Sequence, residues 1–194
     1  MFVDKLKAIL LMLLCHAPVL LAQDVQKVAI KLIDDSEAVV PDAKVAVILR
    51  SGAHQFATWD AASGEYRCEI KDKCLRVIAG AFGYEASAEK FPLTPGLFSI
   101  KMRKSAVKNS AVIERSGSLR GVDGSIELVL DNLRRTYIYT QKIRLESKGR
   151  PAVQPVNFTV GRPIEAVSAN GRPFKLWVVE LTQDVAVVEY SLPK

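Results

Sequence analysis

Strict alternation of apolar and polar side chains over Tyr66–Ile70 is the feature that most constrains the fold of this chain. A period of two is typical of a β-strand with one buried face. The turn-forming run Asp60–Gly64 stands just before this stretch, and the polar run Lys71–Lys73 directly follows it. Strand composition then resumes over Leu75–Gly80. The sequence therefore predicts two strands that Lys71–Lys73 joins as an antiparallel hairpin.

Two cysteines flank the predicted turn of this hairpin. Cys68 stands near the end of the first strand and Cys74 at the start of the second. A short hairpin can bring their Cα atoms within the roughly 4.4–6.8 Å that a disulfide needs. Because the closed loop is small, the bond would add only about 2 kcal/mol in the chain-entropy model. We expect this disulfide, with two reduced thiols as the alternative.

The first 22 residues have the composition of an export signal. Lys5 and Lys7 give a basic start, Ala8–Leu14 is an unbroken apolar run, and the small residue Ala22 ends the segment. This order predicts a signal peptide over residues 1–22, with an uncleaved anchor as the alternative. Cleavage near Ala22 would make the protein secreted or periplasmic. That oxidising setting favours the disulfide, and loss of Cys15 leaves an even number of cysteines.

The remaining chain divides into two β-rich modules. Residues 23–104 contain about seven short alternating stretches separated by turn residues, which is typical of a β-sandwich. Residues 105–110 are polar and basic and are predicted to be a linker. Residues 111–194 contain about six further stretches, typical of a small barrel or sandwich. Ser125–Asp131 fits a strand or one helical face, and its neighbours favour the strand. The predicted fold class is all-β.

The first module resembles a known family of β-sandwich domains. Four stretches carry the resemblance: Val40–Leu49, Thr58, Ser63–Tyr66 and Val77–Tyr84. Together they resemble the carboxypeptidase regulatory-like, or transthyretin-like, domain over residues 25–104. The resemblance implies a seven-stranded β-sandwich that serves as an accessory or adhesive module. It supplies no catalytic residues, and the second module resembles no family that we recognise.

Few residues offer catalytic or metal-binding chemistry. His54 is the only histidine after residue 22, which excludes a two-histidine zinc site. It lies in a predicted surface turn without a nucleophile elbow nearby. The sequence contains no phosphate-binding loop or dinucleotide fingerprint, so we expect no cofactor and no metal. Asp34–Glu37 offers oxygen ligands for calcium, but a solvated charged turn is the simpler explanation.

A pair of carboxylates can carry out glycoside hydrolysis. Nothing in the spacing of the acidic residues selects a pair, and exposed strand faces explain them equally well. The candidates are Asp60, Glu65, Asp123, Glu127 and Asp131. We therefore predict that the protein is not an enzyme.

A possible ligand surface combines aromatic and basic side chains. Aromatic rings on a β-sheet more often belong to the core, and two adjacent arginines can simply be a basic turn. A cation beside a ring nevertheless suits an anionic or aromatic partner. The nominated residues are Trp59, Arg134, Arg135, Tyr137 and Trp177.

These features predict an exported, non-enzymatic binding or accessory protein of a bacterial cell envelope. The formal net charge is +6, and loss of Lys5, Lys7 and Asp4 with the signal lowers it by one. Such a balance favours anionic partners, although solubility alone also explains it. The expected partner is an envelope protein or an anionic glycan or lipid surface, and nucleic acid is not expected. A carbohydrate-binding or adhesive module is the alternative, and a hydrolase is a third hypothesis.

Overall fold

The computed structural model describes residues 25–91, 97–114, 116–122, 125–130, 141–146, 156–168, 172–182 and 185–192. All regular secondary structure in these ranges is β-strand, so the predicted all-β class is confirmed. Within the same ranges, no helix has the length and apolarity that a bilayer crossing requires.

Seven strands form the first module. They are β1 (Gln26–Ile33), β2 (Lys44–Leu49), β3 (His54–Asp60), β4 (Glu65–Ile70), β5 (Cys74–Gly80), β6 (Ser87–Lys90) and β7 (Leu97–Lys101). They are hydrogen-bonded in the order β6-β5-β2-β3-β4-β1-β7. Ile30 of β1 and Val47 of β2 belong to one core although two strands separate them in the sheet. The sheet therefore curves over so that its two halves face each other, as in a sandwich.

The predicted β4–β5 hairpin is wrong. β4 pairs with β1 and β3, whereas β5 pairs with β2 and β6. Lys71–Lys73 therefore carries the chain from one half of the sheet to the other. Period-two patterning reveals each strand but not its neighbour, because partner choice depends on contacts distant in sequence.

Tyr66 of β4 ties the β1–β2 connection to the sheet. Its side chain is buried, and burial raises the pKa of its hydroxyl. The hydroxyl oxygen accepts a hydrogen bond from the Ala43 N–H at 2.9 Å and lies 2.8 Å from the carbonyl oxygen of Val40, to which it donates. Gly64, just before β4, has φ of 69°, a left-handed conformation that glycine adopts without a steric penalty.

In the described ranges, the second module has eight strands. They are β8 (Asn109–Glu114), β9 (Ser116–Ser118), β10 (Ser125–Leu130), β11 (Gln141–Glu146), β12 (Val156–Asn157), β13 (Pro163–Val167), β14 (Pro173–Leu181) and β15 (Val185–Tyr190). Their order is β12-β11-β10-β9-β8-β15-β14-β13. The six predicted strands are present, and the ambiguous stretch that begins at Ser125 is a strand. The additional two are β8 and β9, and β8 starts with the last two residues of the predicted linker.

Strands β2 and β15 are buried on both faces. All side chains of Val45–Ile48 are buried, as are all side chains of β15. In β2, Val45 and Val47 face the core of the first module, while Ala46 and Ile48 face the second module. The same alternation places Val188 of β15 in the core of the second module. Continuous apolar runs are typical of strands covered on both sides.

The two modules meet in a third apolar cluster, which we call the shared core. It contains Ala46, Ile48, Ile78, Val112, Val185 and Val187, which come from β2, β5, β8 and β15. Full burial of a Val or Ile side chain contributes about 1.5–3 kcal/mol. The sandwich and the second sheet therefore pack together as one body.

Polar contacts surround the shared core. The His54 Nε2 atom lies 3.1 Å from a Glu114 carboxylate oxygen. The guanidinium of Arg76 pairs with Glu180 at 2.5 Å. His54 is thus part of β3 and contacts the second module, which corrects its predicted place in a surface turn.

The predicted linker is held against the first module. The Ser105 N–H donates to the Gly83 carbonyl at 2.9 Å, and the Gly83 N–H donates to Asn109 Oδ1 at 2.9 Å. The Ser110 hydroxyl oxygen accepts a hydrogen bond from the Ala81 N–H at 3.0 Å. These contacts fix both ends of the connection in place.

We predict that Gly80→Ala loosens the junction between the modules. A Cβ atom at position 80 would lie 2.8 Å from the backbone of Ala111, which cannot rotate away as a side chain can. Overpacking of this kind costs about 1–3 kcal/mol, so thermal unfolding should show a Tm lower by roughly 2–12 °C.

Gly117→Ala provides the matched control. Its added Cβ would meet only the Ile113 side chain, at 3.2 Å, so the loss of Tm should be smaller. An equal or larger loss in the control would contradict the assigned close approach of β5 and β8.

Candidate binding surfaces

Trp59 is not an open platform for a ligand. Its side chain is half-buried and packs against the core of the first module. The ring lies 5.0 Å from the Tyr66 ring, measured between centroids, with a tilt of 52°. Pairs in this geometry add stability beyond the area that they bury. Trp59 therefore supports the position of Tyr66, which in turn fixes the β1–β2 connection.

Trp177 is also half-buried, and a cation of this protein covers its ring. The Lys108 ammonium lies 4.9 Å from the ring centroid and 2.8 Å from a carboxylate oxygen of Glu189. The other carboxylate oxygen of Glu189 accepts a hydrogen bond from the Ala86 N–H at 3.1 Å. Trp177 and Lys108 thus belong to a polar link between the modules.

Of the nominated ligand surface, the structure describes only Trp59 and Trp177. Trp59 lies in β3 of the first module and Trp177 in β14 of the second, and no ring contact joins them. Arg134, Arg135 and Tyr137 lie outside the described residues.

The predicted disulfide between Cys68 and Cys74 is absent, and both residues are free thiols. The hairpin that would have placed them side by side does not form, since β4 and β5 are not hydrogen-bonded neighbours, although both thiols belong to one core and, in addition to burial, Cys68 adds to the raised pKa of Cys74. Cys68 instead stands opposite Val28 and Cys74 opposite Leu49. Burial raises the pKa of Cys68 to about 11 and that of Cys74 to about 12. Both thiols are therefore protonated, and weakly nucleophilic, near neutral pH.

An open pocket of about 320 Å³ lies along the β1–β4 pair. Its lining residues are Lys27, Val28, Ala29, Arg67, Cys68 and Glu69. Arg67 is already engaged by Glu65 at 2.9 Å and by Asp60 at 3.4 Å. Because the Cys68 thiol is protonated and the Arg67 guanidinium already has partners, the pocket has no reactive group. It could bind a ligand only by its shape and charge.

The acidic turn Asp34–Glu37 is organised by Lys104 and by its own backbone. The buried carboxylate of Asp34 lies 2.6 Å from the Lys104 ammonium. It also accepts hydrogen bonds from the Ser36 hydroxyl at 2.6 Å and from the Ala38 N–H at 3.0 Å. These donors occupy the oxygens that calcium would need. Among the described residues, no group of three or more possible metal ligands occurs.

Two of the carboxylates considered for hydrolysis also have structural partners. Asp60 accepts hydrogen bonds from the Ala62 N–H at 3.1 Å and the Ser63 hydroxyl at 2.8 Å. Glu65 pairs with Arg67, as described above. Of the other three, Glu127 lies in β10, and Asp123 and Asp131 lie outside the described residues.

One end of the first module carries a cluster of cations, which we call the basic tip. It consists of the β2–β3 turn Arg50–Ala53 and the crossover loop Lys71–Lys73. The Arg50 N–H donates to the Lys73 carbonyl at 2.8 Å. The Ser51 N–H donates to an Asp72 carboxylate oxygen at 2.9 Å.

Three cations of the basic tip point into solvent without a salt bridge. Arg50, Lys71 and Lys73 are exposed, and none of them forms an ion pair within 4.0 Å in the described part of the chain. Asp72 is the one carboxylate of these two loops. Hydrogen bonds from the backbone of Ser51 and Lys73 lower its pKa, so it is ionised and offsets one of the three positive charges.

Sequence reasoning missed the basic tip because its halves are distant in the chain. Arg50 and Lys73 are neighbours only through the pairing of β2 with β5. The sequence instead predicts that β5 pairs with β4. The continuous apolar run Val45–Leu49 was the available signal, since it marks β2 as an interior strand with two neighbours.

No protein-family model, curated protein or solved structure matches this chain. Its function has to be inferred from the geometry described above.

We predict that both cysteines react slowly with iodoacetamide in the folded protein. A pKa of about 11 instead of 9.0 for Cys68 lowers the thiolate fraction about 100-fold, and burial adds a steric barrier. In guanidinium chloride, which unfolds the protein, peptide mass spectrometry should find both cysteines labelled rapidly without added reductant. Failure to label them after unfolding, with labelling restored by a reductant, would contradict the free thiols.

We predict that Asp34 makes the fold sensitive to acid. Lys104 and Ser36 hold the pKa of this carboxyl far below its usual 3.8. A lowered pKa contributes stability above pH 3.8, and that contribution is lost as the pH falls towards the folded-state pKa. Between about pH 6 and about pH 2.5, the Tm of the unchanged protein should therefore fall more than that of Asp34→Asn.

Asp35→Asn is the control for this acid titration. Asp35 is exposed and lies 3.9 Å from Lys101, which is also exposed, and such pairs contribute little. Its acid profile should follow that of the unchanged protein. If the Tm of Asp34→Asn falls with acid as much as that of the unchanged protein, the Lys104–Asp34 pair does not stabilise the fold.

Proposed function

We propose that this protein is an exported, non-enzymatic binding or accessory protein of a cell envelope. Its two β-modules would act as one rigid body towards a partner protein or an envelope polymer. The observation that carries the proposal is the shared core, because a binding surface that spans two modules needs them in a fixed orientation.

The contacts around the shared core support this rigid arrangement. Glu189 joins Lys108 to the Ala86 backbone, and Glu180 pairs with Arg76. These links are half-buried, and removing one partner leaves the other without its countercharge. A partner that binds loops from both modules would therefore contact a surface that is already ordered. Less entropy would be lost when the complex forms.

The environments of the candidate side chains favour binding over catalysis. Asp60, Glu65 and His54 hold turns or neighbouring strands through short contacts, and both thiols are protonated. Trp59 and Trp177 are packed against the protein itself, which disfavours the alternative of a glycan-binding aromatic platform. A glycan array on which binding depends on Trp177 would restore that alternative.

The proposal is tested by capturing partners from solubilised envelope of the same organism. The tagged protein is incubated in low and in high salt, and bound material is identified by mass spectrometry. A specific protein interface should survive high salt, because screening weakens exposed charge contacts most. We expect one complex that is retained by Gly117→Ala and lost with Gly80→Ala, when both variants keep their β-sheet circular dichroism.

Two outcomes would overturn the proposal. Equal recovery by the unchanged protein and by Gly80→Ala would mean that the joint orientation of the modules does not matter. Turnover of an envelope substrate that Asp60→Asn or Glu65→Gln abolishes would establish an enzyme instead.

A further inference from the structure

The basic tip lies at the end of the first module where the chain enters β1. Gln26, the first residue of β1, stands opposite Ile70, which directly precedes the crossover loop Lys71–Lys73. The described chain therefore begins, at Val25, at the end of the first module that carries the tip. The turn Arg50–Ala53 packs on the same crossover loop.

Apolar side chains are exposed beside the cations of the tip. Leu75 is 52 % exposed and follows Lys73 by two positions, and Val25 is 48 % exposed. The Phe91 N–H donates to the Leu75 carbonyl at 3.1 Å, so Leu75 is held in an ordered strand. A surface that combines cations with exposed aliphatic groups suits the boundary between lipid headgroups and acyl chains.

We infer that the basic tip contacts the anionic surface of a lipid bilayer. This inference rests on the proposed function in placing the protein at an envelope, and it names one partner there. A soluble anionic glycan would be attracted by the same cations. It would gain nothing from Leu75 and Val25, whereas a bilayer would bury them.

The position of the apolar run Ala8–Leu14 in the sequence supports the same orientation. Residues 15–24 separate this run from Val25, and ten residues span at most about 35 Å. A membrane that holds this run, during export or as an anchor, would lie within that distance of Val25. The basic tip would then be the nearest end of the first module.

The charges of the tip give an expected size for the effect. Each Lys or Arg near an anionic membrane contributes about 1 kcal/mol, which corresponds to about a fivefold change in affinity. Neutralising three of them should weaken the contact roughly 100-fold. The contact should also weaken with salt, because the Debye length is about 10 Å at 0.1 M and shortens as salt is added.

A positional cross-linking experiment on the full chain tests the inference. The photoreactive p-benzoylphenylalanine replaces Leu75 in one protein and Val160 in another. Val160 is equally exposed, at 52 %, and lies in the second module, so it is the matched control position. Vesicles contain phosphatidylcholine alone or with about a third of phosphatidylglycerol. Lipid adducts should form at position 75, only with the anionic vesicles, and not at position 160.

Charge variants separate attraction by the tip from attachment through other parts of the chain. The combined change Arg50→Gln, Lys71→Gln and Lys73→Gln should raise the lipid concentration for half-maximal adduct formation at position 75 roughly 100-fold. The control change removes the same charge from exposed residues elsewhere, namely Arg103, Arg162 and Arg172, each to Gln. It should leave that concentration within about twofold of the unchanged value.

Three results would overturn the inference. They are equal adduct yields at positions 75 and 160, an unchanged concentration in the tip variant, and binding of the tip to dextran sulfate without any lipid adduct. The last result would assign the tip to an anionic glycan. If lipid adducts fail while the salt-resistant complex is still recovered from envelope, the inference fails and the proposed function stands.

Discussion

Burial of β2 and β15 on both faces is the constraint on which the rest of the structure depends. Alternate residues of β2 serve the sandwich core and the shared core, so one strand stabilises two layers. Ile48 and Ile78 on one side meet Val187 on the other, and aliphatic groups of this kind exclude water from the junction. The polar links between the modules lie around this apolar contact and depend on it for their geometry.

Several cations of this protein pair internally, whereas the three cations of the basic tip form no ion pair in the described part of the chain. Lys104 neutralises Asp34, Lys108 joins Glu189 to the Trp177 ring, and Arg76 pairs with Glu180. Cations with such partners attract a ligand weakly, because binding would first have to break an existing pair. In the basic tip, Asp72 offsets only one of three positive charges, so the tip keeps a net attraction for an outside anion.

Period two in the sequence was sufficient to predict the all-β class and most of the strands, because alternation reports burial directly, but it missed β8 and β9. It could not predict that β4 and β5 are separated, so the expected hairpin around Cys68 and Cys74 does not form. Trp59 and Trp177 could not be placed from sequence either, since an aromatic residue in a strand can face the core or solvent. The basic tip required the β2–β5 pairing, which joins residues that no local pattern relates.

The shared core also determines the order in which the chain can reach its native state. Synthesis supplies residues from the amino terminus, so β2 and β5 are complete long before β15. Until β15 is present, Ala46, Ile48 and Ile78 lack the Val185 and Val187 side chains that complete their cover, and an exposed sheet face of aliphatic groups is prone to aggregate. The first module is thus a recognisable unit in the sequence but an incomplete one in folding, and this face needs protection until the last strand has been synthesised.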